Sequence, residues 1–141
     1  MENILRIKER LEEQKRMDLG QAMVRLKSEE DIRKVIEHKQ KNYLDDFYKN
    51  QNHITNGASL QMMSQQLAYF EQKLKLQRKL VKKAEEQVVI KREALKKALE
   101  ERKVQEKLKE NAFDRFVEEE KIKEQQVLDE IVGYRYATED D

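Results

Sequence analysis

Residues 60–98 read "LQMMSQQLAYFEQKLKLQRKLVKKAEEQVVIKREALKKA", and the spacing of their apolar side chains decides the fold. Leu60, Met63, Leu67, Phe70, Leu74, Val81, Ala84, Val88, Leu95 and Ala98 fall at alternating steps of three and four, with Gln77 and Lys91 as the polar members of the same series. That alternation is the heptad repeat of a helix that buries one seam against another helix. Beyond Ala98 the series loses its register. Phe113, Val117, Val127, Ile131 and Tyr134 form a displaced stripe interrupted by Glu120 and Glu124, so the helix is expected to continue while its packing changes.

Just upstream lies the one strong break, "HITNGASLQ" at residues 53–61. Asn56 and Gly57 suit the left-handed conformation that ends a helix, and Ser59 suits the N-cap of a helix beginning at Leu60. Before the break the heptad series is weaker. Ala22, Leu26, Ile36, Tyr43, Phe47 and Ile54 are its apolar members, with Ile32 and Val35 beside them. Leu5, Ile7, Leu11 and Leu19 extend helical character almost to the start, in a register the sequence leaves open before Ala22. Gly20 is expected inside this helix as a bend.

Two long amphipathic helices joined by a short loop fold back on each other. The expected fold is therefore all-α, a long antiparallel two-helix coiled-coil hairpin with a projecting C-terminal helix. It forms one domain over residues 1–134, with helices over about 3–54 and 60–133, a turn over about 55–59 and a disordered tail over 135–141. With the turn centred on Gly57, Phe47 meets Leu67, Tyr43 meets Phe70, and residue 3 lies opposite residue 111. The second helix then overshoots the first by about twenty residues, roughly 30 Å at the helical rise. A lone amphipathic helix of that kind either frays or finds a partner.

Composition agrees. Ala, Glu, Lys, Leu and Arg supply roughly half of the 141 residues, the signature of long helices. There is no proline where an average chain of this length holds about seven, so nothing forces a kink. No cysteine is present, which removes disulfides, thiol nucleophiles and zinc knuckles. No apolar run is long enough for a signal peptide or a membrane span, pointing to a soluble, cytoplasmic chain without direct lipid insertion. Net charge is +1, but residues 73–103 carry 12 basic and 5 acidic side chains and residues 110–141 carry 4 basic and 11 acidic ones. A partner could read that polarity; pairing along a solvated helical face is the plainer reading.

Residues 50–70, "NQNHITNGASLQMMSQQLAYF", contain no Asp, Glu, Lys or Arg, in a chain that is 42% charged. Keeping charge off a docking tip avoids desolvation on binding. Catalytic chemistry has no foothold. His38 and His53 lack a second ligand at helical spacing, the carboxylate pairs Glu85–Glu86 and Glu118–Glu120 sit on exposed surface with basic neighbours, and glycines are too few for a phosphate loop. The reading is not an enzyme, with no cofactor and no metal. The basic stretch "KLKLQRKLVKK" is interleaved with the Leu/Val seam, lacks stacking aromatics and precedes an acidic third, which argues against nucleic acid.

Taken together, "ILRIKERLEEQ", the spaced aromatics closing the first helix, the "NGAS" turn, "QQLAYFEQKL" and above all "VLDEIVGYRY" resemble the flagellar export protein FliJ family over essentially the whole chain. The resemblance implies a coiled-coil stalk similar to the shaft of rotary ATPases. It would sit in the hexameric ring of the flagellar export ATPase, promote its assembly and activity, contact the membrane export gate and escort export chaperones. Its place would be cytoplasmic and peripheral at the inner membrane. On this chain the ring-binding candidates are Phe113, Phe116, Val117, Val127, Leu128 and Ile131; the alternative is that they pack against Ile4, Ile7 and Leu11 or another copy. The export-gate candidates near the tip are Tyr43, Phe47, Tyr48, Phe70 and Leu74, of which all but Tyr48 fall on the seam and compete as core. A structural coiled coil or tether with no ATPase partner is the other functional reading. A monomeric hairpin in solution belongs to the first reading, a tight dimer to the second.

Overall fold

The structure, a computed structural model, describes residues 2–49 and 57–139, with side chains for 3–49 and 57–138. It holds two α-helices, α1 (Glu2–Lys49, 48 residues) and α2 (Gly57–Glu139, 83 residues). They pack against each other along a heptad seam, an all-α antiparallel hairpin as the sequence predicts. Ala, Leu, Glu, Lys and Arg are the strongest helix formers, and with no proline in the chain neither helix has a residue that must break it.

The chain divides into two compact units, Met1–Glu12 with Lys97–Asp141, and Glu13–Lys96. In the second unit the α2 seam is covered as the spacing predicts: Phe70, Leu74, Gln77, Val81, Ala84 and Val88 are buried, while Met63, Leu67, Lys91 and Leu95 are half-buried. Leu60, the first member of the series, is exposed; its expected counterpart Ile54 lies outside the described residues. Tyr43 meets Phe70 with ring centroids 5.9 Å apart and Glu29 meets Gln77, so numbers fall along α1 as they rise along α2. The two helices are antiparallel here.

The α1 seam in this unit is Lys15, Leu19, Ala22, Leu26, Glu29, Arg33, Ile36, Gln40, Tyr43 and Phe47, all half-buried and again at steps of three and four, with Asp18, Glu30 and Leu44 half-buried beside it. Ile32 and Val35 lie off the seam and are exposed. Gly20 stands inside α1, exposed, where an added Cβ would meet nothing within 4 Å.

In the first unit Leu5 and Ala98 are buried, and the α1 series continues backwards through Glu12, Lys8 and Leu5 in unbroken register. The sequence hid this register because Lys8, Glu12 and Lys15 occupy seam positions where apolar residues are the usual signal. On α2 the frame does not stop at Ala98, contrary to the sequence reading. Arg102 and Gln105 carry it on, half-buried, so the seam changes chemistry before it changes geometry.

Two boundaries differ from expectation. α2 starts at Gly57 rather than Leu60, because Gly57, Ala58 and Ser59 join the first turn instead of forming the loop and cap. No described glycine has a positive φ, so Gly57 is not a left-handed cap. At the other end the helix runs through Gly133 to Glu139, so most of the tail expected to be disordered is helical. Thr138 Oγ1 donates there to the carbonyls of Tyr134 (3.1 Å) and Arg135 (3.0 Å), adding to the last turns. The expected end of the first helix near residue 54 and most of the turn lie outside the described residues, as does His53.

Candidate functional site

The aromatic residues near the start of α2 and the end of α1 separate by helical phase. Phe70 and Leu74 sit on the α2 seam and are buried, Tyr43 on α1 is half-buried against Phe70, and Phe47 on the α1 seam is half-buried. These four are packing residues. Tyr48, one step off the seam, is 57% exposed, and its ring stands edge-on to Phe47 at 6.0 Å between centroids. Tyr69, which the sequence reading did not single out, is likewise exposed. Its ring packs beside Phe70 at 6.0 Å, and Lys73 Nζ lies over it at 4.9 Å from the centroid. The signal for Tyr69 was its place one residue before a seam position, which turns it out to solvent.

The C-terminal part of α2 is a different surface. After Gln105 every described side chain is exposed except Val117, which is half-buried. Phe113 (64%), Phe116 (58%), Val127, Leu128 and Ile131 are all more exposed than not, or nearly so. Ile4, Ile7 and Leu11 are exposed as well, so the stripe does not pack against them within this chain. Val104, Leu108, Ile122, Val132, Tyr134 and Tyr136 add further uncovered apolar surface. From residue 106 to 139 the bare helix is roughly 50 Å long at the α-helical rise. That is longer than the expected overshoot because α2 continues beyond Gly133.

A polar cluster marks the base of this bare helix. Glu12, a buried carboxylate, lies against the Arg102 guanidinium; Arg102 Nη1 also reaches Glu106 Oε1 at 2.5 Å, and Lys8 Nζ donates to Glu101 Oε2 at 3.1 Å. The bond to Glu106, reinforced by the negative charges of Glu106 and Glu12, raises the Arg102 pKa above its ordinary value against a smaller effect of burial. Arg102 is therefore a fixed cation. In the second unit Gln77 is the corresponding polar member of the seam, donating to the Glu29 carbonyl (2.8 Å) and to Glu29 Oε2 (2.6 Å).

Among the described residues no group of His, Cys, Asp and Glu could hold a metal ion, and His38 is exposed. No described helix is long and apolar enough to cross a membrane. What the geometry offers is helical surface.

The fold puts the protein in the class of two-helix antiparallel coiled coils, with uncovered apolar surface on α2. The match of its sequence narrows the class: the model of the family described as flagellar FliJ protein covers residues 1–140, and the chain belongs to that family. Membership gives it a non-catalytic role in flagellar protein export. No curated protein and no solved structure matches the chain.

Proposed function

We infer that the chain is a stalk of the flagellar export apparatus. It inserts its C-terminal helix into the export ATPase hexamer, promotes assembly and hydrolysis there, and links the ring to the membrane export gate and to export chaperones. The observation that carries this reading is the bare stretch of α2 after Gln105, where Phe113, Phe116, Val127, Leu128 and Ile131 are exposed on a helix that no described residue covers. An amphipathic helix with so much uncovered apolar surface gains stability from a ring that encloses it. The absence of proline supports a stiff shaft. At the other end the exposed Tyr48 is the gate contact among the tip candidates, since its neighbours on the seam are committed to packing. The work is done at the cytoplasmic face of the inner membrane, where the chain is held by its partners rather than by lipid.

The test is the rate of ATP hydrolysis and the degree of ring assembly of the purified export ATPase from the same organism, with and without this chain. Stimulation together with hexamer formation is the expected result. No effect at saturating concentration of a chain shown to be helical leaves a structural tether as the function.

A further inference from the structure

The seam accounts for one line on each helix, but in the unit Glu13–Lys96 a second, partly apolar line runs beside it. On α2 the residues Lys73, Leu76, Leu80, Lys83, Gln87 and Ile90 are spaced at three and four, one step around the helix from the buried positions. Leu76 (57%), Leu80 (42%) and Ile90 (54%) are exposed. On α1, Ile32 (44%) and Val35 (53%) are exposed in the same relation to the buried side. The two lines meet. Ile32, Val35 and Lys39 of α1 line one groove with Lys73 of α2, and Asp18, Gln21 and Arg25 of α1 line the next with Leu80, Lys83 and Gln87 of α2.

Both helices thus turn Ile32, Val35, Leu76, Leu80 and Ile90 to one side of the hairpin, while the exposed Met23 and Val89 lie one step the other way round their helices. The other side differs in its aliphatic content: the groove where Gln40 meets α2 is lined by Glu71, Leu74, Lys75, Arg78 and Lys79, with three basic side chains, one acidic one and one seam leucine. A solvated hairpin has no reason for that asymmetry, since any exposed position tolerates charge. Like the opposite groove, the aliphatic side is net basic. Across its two grooves six basic side chains, Arg25, Lys27, Lys39, Lys73, Lys83 and Lys91, stand against three acidic ones, Asp18, Asp31 and Glu86.

We propose that this side of the hairpin is a docking face for a third helix from another protein, amphipathic, with its apolar stripe bordered by Asp and Glu. The helix lies along Ile32, Val35, Leu76, Leu80 and Ile90 and completes a local three-helix coiled coil. From residue 18 to residue 39 the face runs roughly 32 Å, the length of about three heptads. A second copy of this chain docked face to face would set Arg25, Lys39, Lys73 and Lys83 against themselves, and like charges across an isologous contact oppose it. An acidic helix meets the opposite field. The face is separate from the bare C-terminal helix proposed for the ATPase ring, and its occupancy does not depend on that proposal.

Photocrosslinking in cells assembling flagella tests it. A photoreactive residue replaces Val35 or Leu76 on the face, and Lys75 or Arg78 on the opposite side, in the full-length chain. The expected result is an adduct from Val35 and Leu76 positions alone, with the crosslinked peptide mapping to a helix whose apolar stripe is flanked by carboxylates. Yield drops at least about fivefold when Lys73→Glu and Lys83→Glu are combined, because the encounter is electrostatically guided. Circular dichroism checks that this variant stays helical, and its stimulation of the export ATPase stays that of the parent chain. An adduct with a second copy of the chain, an adduct with a basic or non-helical segment, equal yields from both sides, or no adduct at all would each overturn the proposal. Loss of ATPase stimulation in the parent chain bears only on the stalk.

Discussion

At the scale of single residues, the hairpin is governed by which polar side chains sit in the seam and how each is satisfied. Gln77 is 6% exposed, and its amide is held by both the carbonyl and the carboxylate of Glu29. Truncating it leaves those acceptors without their donor, so Gln77→Ala is expected to lower unfolding free energy by about 1–2 kcal/mol in a denaturant titration. Replacing both partners, Gln77→Leu with Glu29→Leu, is expected to be neutral or stabilising, because an apolar layer needs no such bond. The cost falls on register. Since the chain has no cysteine, a pair introduced at one position on each helix can be spin-labelled uniquely, and a broadened distance distribution in the double variant is the expected reading. Gly20 is the converse case, a residue the helix tolerates without needing. It is exposed inside α1 and a Cβ meets nothing there, so Gly20→Ala should stabilise by about 1 kcal/mol, a rise of roughly 3 °C in Tm. No rise would mean that the helix bends at Gly20, as its sequence position first suggests.

Between residues and the molecule stand the two helices, and α2 changes character along its length. Up to Ala98 its seam is mostly aliphatic; at Arg102 and Gln105 the same frame is polar; beyond Gln105 it faces solvent. Arg102 closes the packed part by holding Glu12 and Glu106 together. Its pKa is raised above the ordinary arginine value, so the stability it supplies is complete below that value and is lost only as pH rises through the still higher folded value. Arg102→Gln is accordingly expected to lower Tm by the same amount at about pH 7 and about pH 9, checked by thermal melts of both chains. A difference between the two would show that another titrating group supports the cluster. On the bare stretch the logic reverses, because exposed side chains contribute little to folding. Phe116→Asp and Ile131→Asp are each expected to change stability by less than about 0.5 kcal/mol while removing most of the stimulation of the export ATPase. Variants that keep full stimulation would take the ring contact away from this stripe.

For the whole molecule, what matters is what the hairpin leaves uncovered. Size-exclusion chromatography with light scattering should give the mass of a single 17.0 kDa chain, because the α2 seam already has its partner in α1. A stable dimer would favour the tether. Tyr48→Ala should spare helicity and Tm yet reduce swimming, since the side chain is exposed beside a seam that Phe47 and Phe70 complete without it. Unchanged swimming would remove Tyr48 as a gate contact.

How much of this was legible depended on where the apolar signal lay. The series from Met63 to Ala98 could be read position by position, because nine apolar residues at heptad spacing have no other economical explanation, and the pairing of Tyr43 with Phe70 followed from the turn. The N-terminal register could not be read, because Lys8, Glu12 and Lys15 fill seam positions with long side chains whose stems pack while their charges stay solvated or paired. The same holds for the split between tip aromatics that pack and those that face out. The sequence by itself determined the helices, their fold-back and the family. Only the tertiary structure decided which of the remaining apolar residues are surface, because exposure is a property of what lies opposite, and no single helix encodes its neighbour.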